Sequence, residues 1–142
     1  LPQFGGKPLN IFQNIHFYGG KRPRITVEIQ DPNKPENIDH YEFEDGKWSE
    51  PQPVRISGNG NMKDNVFPLD EIKFADIAKI AQAYGEKAKE VEAKETDLPH
   101  VYYSLFVSTG KKEWITGFLK TDRAEYEFEF NNDGTLKSFK KR

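Results

Sequence analysis

Along residues 24–30 the apolar side chains Ile25, Val27 and Ile29 share one parity and Thr26, Glu28 and Gln30 the other. That alternation predicts a strand with one buried face. The same period marks two related stretches. Tyr41-Glu42-Phe43-Glu44 runs into Asp45-Gly46, and Tyr126-Glu127-Phe128-Glu129 is followed by Asp133-Gly134. In each, a strand buries both rings and shows both carboxylates to water, and Asp-Gly then turns the chain. The first turn is tight because Asp45-Gly46 suits positive φ, and the second is longer. Residues 70–91 follow a different rule. Phe74, Ile77, Ala78, Ala81, Tyr84, Ala88 and Val91 recur at the helical spacing, with Ile80 at the edge of their stripe and Asp76 and Lys79 outside it. A helix over about 70–86 is predicted, with Asp70 as its N-cap. Gly85 is a candidate stop; residues 87–96 read as continued helix by composition and as a strand by alternation.

The remaining elements follow from breakers. Residues 1–8 are rich in Pro and Gly and read as an arm. Residues 9–18 alternate imperfectly, with Ile11, Ile15 and Phe17 against Phe12, His16 and Tyr18, which favours a strand over a short helix. Pro32 and Pro35 make 31–37 a loop, and Pro51 and Pro53 push the return of the first hairpin to a sheet edge before 54–56 resumes it. Residues 57–61, Ser-Gly-Asn-Gly-Asn, carry nothing that packs a core and mark the clearest boundary. After Pro99, strands are expected at 102–108 and 114–120, then the closing hairpin at 123–140. The expected fold is α+β: one domain with a large antiparallel sheet from two strand-rich units and one long amphipathic helix packed on it. The units are 9–57 and a helix-plus-meander unit at 66–140, joined by a linker at 57–65.

Composition narrows the roles. In 142 residues, 35% are hydrophobic and 13% aromatic, which predicts a thin core rich in rings. A formal charge of −2, with 21 basic and 23 acidic residues dispersed along the chain, argues against nucleic acid as a partner. Absence of cysteine removes disulfides and thiolate chemistry. No apolar run reaches membrane-spanning length. The start at Leu1 reads as a processed or trimmed form, which leans toward export.

No residue set reads as catalytic, cofactor-binding or metal-binding. His16, His40 and His100 stand apart in sequence without metal-site spacing, no serine lies in a nucleophile elbow, and Gly58-Asn59-Gly60 lacks the lysine of a phosphate loop. Asn131, Asn132 and Asp133 are explained by turn chemistry without calcium. The candidate partner surface is Glu42, Glu44, Glu127 and Glu129, which would share one outer face if both hairpins joined one sheet, together with Trp48 and Trp114. The plainer account of the acids is a solvated face, and that of the rings is core packing.

The helix from Asp70, the strands after Pro99 and the closing Tyr-Glu-Phe-Glu…Asp-Gly-Thr-Leu-Lys hairpin resemble the PepSY and beta-lactamase-inhibitor-protein-like (BLIP-like) families of exported bacterial proteins. The resemblance is carried by 66–140. It implies a periplasmic, envelope or secreted protein, often lipid-anchored through a removed N-terminal segment, that binds or inhibits another protein through its sheet. No catalytic residue transfers with it. The expectation is therefore a non-enzymatic binder of an unknown protein partner. Its rivals are a small enzyme or ligand-binding protein of cystatin-like or cone-shaped α+β fold with a pocket between helix and sheet, and an accessory domain of an envelope complex.

Overall fold

The computed structural model describes residues 7–56 and 60–142; residues 1–6 of the arm expected at 1–8, and 57–59 of the boundary expected at 57–61, lie outside them. The strands are β1 Asn10–Tyr18, β2 Arg24–Gln30, β3 Ile38–Glu44, β4 Lys47–Trp48, β5 Gln52–Pro53 and β6 Val66–Pro68. After helix α1, Phe74–Glu90, come β7 His100–Phe106, β8 Lys111–Thr116, β9 Leu119–Lys120, β10 Glu125–Phe130 and β11 Leu136–Lys141. An eight-stranded sheet runs β4-β3-β2-β1-β7-β8, with β5 beside β3 and β6 beside β1, and a three-stranded sheet runs β11-β10-β9. The α+β class, with a large antiparallel sheet and, among the described residues, one α-helix, of 17 residues, is as the pattern predicts.

Alternation sets the faces of the large sheet. Ile11, Ile15, Val27, Ile29, Tyr41, Val101, Tyr103 and Trp114 point inward and join Ile80, Tyr84 and Ala88 of α1 in one cluster. β1 is central because it serves two partners along one edge: Asn10–Phe12 pair with β6 and Asn14–Tyr18 with β7. The switch falls at Gln13, where the register against β2 shifts and φ is +62°. Such a bulge re-aims the strand between neighbours. Its side chain is tied down by a 2.9 Å hydrogen bond to Asn65. The β3–β4 turn has Asp45 and Gly46 at φ of +55° and +76°, the pair of positive values a two-residue hairpin loop demands.

Several expectations need revision. The second Tyr-Glu-Phe-Glu hairpin does not join the large sheet; it forms β10 of the small one. Helix α1 starts at Phe74, not Asp70. Asp70 lies in a 3-10 turn, Leu69–Glu71, and the N-cap is Lys73, with no side-chain capping bond. The helix runs through Gly85 to Glu90, and its buried residues are Asp76, Ile80, Tyr84 and Ala88. The stripe is thus rotated from the predicted one: Ile80 is central, while Phe74 is 68% exposed. Tertiary packing sets this rotation. Gly134, at φ +85°, lies so close that an added Cβ would meet the Asp76 carbonyl oxygen at 2.6 Å, so the β10–β11 turn presses on the first turn of α1. Residues 54–56 form no strand; Gln52–Pro53 pair with β3 instead.

Past Thr116 the chain leaves the large sheet. Gly117 and Phe118 interrupt it, and β9 then pairs with only Glu125 and Tyr126 at the start of β10. Tyr84 stacks on Phe128 at 5.1 Å, which fixes the small sheet to the helix.

Candidate functional site

The large sheet has one face turned away from α1. It is built by the positions between the core residues; those at Asn14, His16, Tyr18, Arg24, Thr26, Glu28, His40, Glu42, Glu44, His100 and Tyr102 are not buried, whereas Ile38 and Ser104, at the ends of β3 and β7 on the same face, are. Two short words, His16-Phe17-Tyr18 and His100-Val101-Tyr102, organise its centre. They lie on adjacent antiparallel strands in a register that sets Tyr18 opposite His100 and His16 opposite Tyr102. Each histidine therefore stacks on the other strand's tyrosine, with ring centroids 4.4 and 4.7 Å apart. Cross-strand ring pairs of this kind stabilise a sheet. Arg24, opposite Tyr18 on β2, places its guanidinium 4.0 Å from the Tyr18 ring centre.

The two imidazoles are nearly coplanar, and His16 Nδ1 lies 2.8 Å from His100 Nε2. His16 Nε2 lies 3.0 Å from Asn14 Oδ1. An amide oxygen only accepts, so His16 carries its proton on Nε2, and its Nδ1 accepts from His100 Nε2–H. On the β2–β3 side, Glu44 accepts a bidentate pair of bonds from Arg22 at 2.7 and 3.0 Å, which holds its carboxyl below the ordinary value. His40 lies 3.7 Å from Glu28 and 3.6 Å from Glu42.

Burial is the first reason His16 and His100 titrate below the usual histidine value of 6.5; the second is positive charge, from His100 on His16 and from Arg24 on His100. A depressed folded value means the unfolded chain binds these protons more tightly. Their effect is nil well above pH 6.5, and stability is lost as pH falls through 6.5 toward the lower folded values. The melting temperature is expected to drop between about pH 7.5 and 5.5, and to drop less in a His16→Gln/His100→Gln variant. Parallel profiles for the two proteins would contradict this origin.

The six expected surface residues separate into four places. Glu42 and Glu44 lie on the open face beside the ring ladder. Glu127 and Glu129 are exposed on the small sheet, so the four carboxylates do not form one ladder; the reason is that β10 pairs with β9 and β11 rather than with the large sheet. Trp114 is only 3% exposed and stacks among Tyr103 and Phe17, which makes it a core residue and not a free contact. Trp48 is 39% exposed. It lines an apolar pocket of about 180 Å³ on the inner side of the sheet, together with Ile25, Val27, Ile29 and Leu69 among others and with Phe74, the first residue of α1. This is the pocket between helix and sheet that the rival reading requires. It contains no histidine and no carboxylate; His16, His40 and His100 all lie on the opposite face. Among the described residues, no group of three or more His, Asp and Glu side chains converges as a metal site does.

No helix among the described residues is long and apolar enough to cross a membrane. No family model matches the sequence, and no curated protein does. The fold is similar to that in the crystal structure of a candidate lipoprotein from Clostridium difficile 630, with a TM-score of 0.59 and 13% identity, over 94% of this chain and 83% of that one. At that identity the likeness is one of fold.

Proposed function

We propose that this chain is a non-enzymatic, envelope-associated or secreted protein that binds another protein through the open face of its large sheet. Inhibition is the form this takes where the partner is an enzyme and the contact covers its active site. The observation that carries the reading is the placement of α1 and the small sheet on one side only, which leaves the face bearing the Tyr18, His100, His16 and Tyr102 ladder uncovered. Tyrosine is enriched in binding hot spots, and the flanking Glu28, Glu42, Glu44 and Arg24 supply charges that steer a partner. The resemblance to PepSY and BLIP-like proteins points the same way, as does the lipoprotein description of the fold neighbour, which extends to this chain as attachment through a lipidated N-terminal segment.

A photoreactive residue placed at position 102, with others at 74 and 107, tests this in an envelope fraction. The expected result is one adduct from 102, lost in a Glu42→Lys variant, and none from 107. Adducts from 74 alone would move the contact to the apolar pocket. That pocket favours a second reading, a carrier of a small apolar ligand, because its walls are aliphatic and aromatic and Phe74 stands 68% exposed at its rim.

A further inference from the structure

The centre of the open face holds a pair of groups whose charge is set by their geometry. His16 and His100 lie side by side, their planes 5° apart, joined by one hydrogen bond of 2.8 Å from His100 Nε2–H to His16 Nδ1. His16 gives its other ring proton to Asn14, so His100 Nδ1 is the one nitrogen of the two rings without a hydrogen-bond partner among the described residues. A first proton enters there and leaves the bond between the rings intact. A second has only His16 Nδ1 to enter. That atom is the acceptor of the bond, so the bond breaks and two cations face each other. No acid on the neighbouring strands is free to balance them. Facing the pair on β1 and β7 are Asn14, Tyr18 and Tyr102, and β2 adds Thr26 and the cation Arg24. Glu28 and, on β3, Glu42 hold His40 at 3.7 and 3.6 Å, Glu44 holds Arg22, and Glu113 on β8 lies opposite Ser104. Burial first, and then positive charge, holds both rings below the ordinary histidine value, with Arg24 acting on His100 and His100 on His16.

We propose that the His16–His100 pair is the release switch of the open face: neutral and joined while a partner is held, charged and parted on acidification, when the partner leaves. This rests on the open face being the contact. Glu28 and Glu42 beside the pair suit a partner whose touching surface is basic. New positive charge in the middle of such a contact opposes it, and a partner lying over the rings removes the water that would solvate that charge. Binding and protonation therefore exclude one another, and by linkage the bound partner also keeps the pair neutral. Release begins below pH 6.5, the ordinary value from which both rings are lowered. The stacking of each imidazole on the opposite tyrosine carries the change outward, because rings that part take Tyr18 and Tyr102 out of the arrangement the partner meets.

The test titrates the protein captured at position 102 against the unmodified chain, by calorimetry, at a series of pH values from about 7.5 to about 5. The expected result is a Kd raised about tenfold or more across the series, with protons expelled on binding near the midpoint, seen as a heat that varies with the buffer. Asn14→Asp puts a carboxylate on His16 Nε2–H and raises the proton affinity of that ring, so the midpoint is expected to move to higher pH. The His16→Gln/His100→Gln variant, whatever its Kd at the upper end of the series, is expected to keep that Kd at the lower end. Capture of no protein at position 102 removes the open-face reading and this inference with it. A captured protein whose Kd is the same at both ends overturns the switch alone, as does a midpoint that Asn14→Asp leaves in place. Acid weakening that survives in the double variant would assign the effect to His40 or to the captured protein, and likewise overturns it.

Discussion

Phe67→Ala is expected to cost about 3–5 kcal/mol, a large share of the roughly 5–15 kcal/mol that holds a domain together. Phe67 is on a strand of three residues that contributes little pairing of its own, yet its ring is 2% exposed. It sits opposite Ile11, meets the Tyr103 ring edge-on at 5.5 Å, and has the Lys112 ammonium 5.8 Å from its centre. Lys112 is itself clamped by Glu71, at 2.6 and 2.7 Å. Removing the ring leaves a cavity where β1, β6 and β7 meet and cannot collapse independently. Urea unfolding checks this: the midpoint should fall strongly at unchanged slope, while Val107→Ala, 43% exposed, should stay within about 0.5 kcal/mol of the parent.

Gly134→Ala is expected to be the most damaging conservative change in the chain. Its φ of +85° costs any other residue about 1–3 kcal/mol. The added Cβ would also stand 2.6 Å from the Asp76 carbonyl oxygen and 3.0 Å from its Cα, and backbone cannot give way as a flexible side chain can. The β10–β11 turn must lift from α1, and the Tyr84–Phe128 stack lifts with it. Gly46→Ala separates the two terms, because Gly46 has φ +76° with nothing within 4 Å. It pays the conformational cost alone, so the difference between the two midpoints measures the clash. Similar midpoints would mean that the turn moves freely over the helix.

Much of this architecture is legible in the sequence where one local rule decides. The bounds of β2 and β3 follow from strict alternation, and the Asp45-Gly46 turn from the need for two positive φ values. What was not legible depends on pairing between distant segments. Tyr126-Glu127-Phe128-Glu129 looks like its earlier counterpart, and each buries one ring, Tyr41 and Phe128, and half-buries the other, but no local pattern says which sheet a strand enters. The face of α1 was ambiguous because Ala75, Ala78, Ala81, Ala83 and Ala88 give no sharp stripe, and Gly134 packing against Asp76 settles it. In sequence the histidines stand apart. Two His-x-Tyr words were the available signal, the first on a predicted strand and the second running into one at Tyr102, since antiparallel pairing of such words stacks each imidazole on the other's phenol. Trp114 reads equally well as a contact or as core; its neighbours Tyr103 and Phe17, which bury it, come from other strands.

The most direct test of recognition through the open face is calorimetric titration of the protein captured at position 102 against Tyr102→Ala and, separately, Phe74→Ala. The expected result is a Kd raised about thirtyfold or more by loss of the Tyr102 ring and little changed by loss of Phe74. An unchanged Kd for Tyr102→Ala together with a large loss for Phe74→Ala would contradict it and place the contact in the apolar pocket.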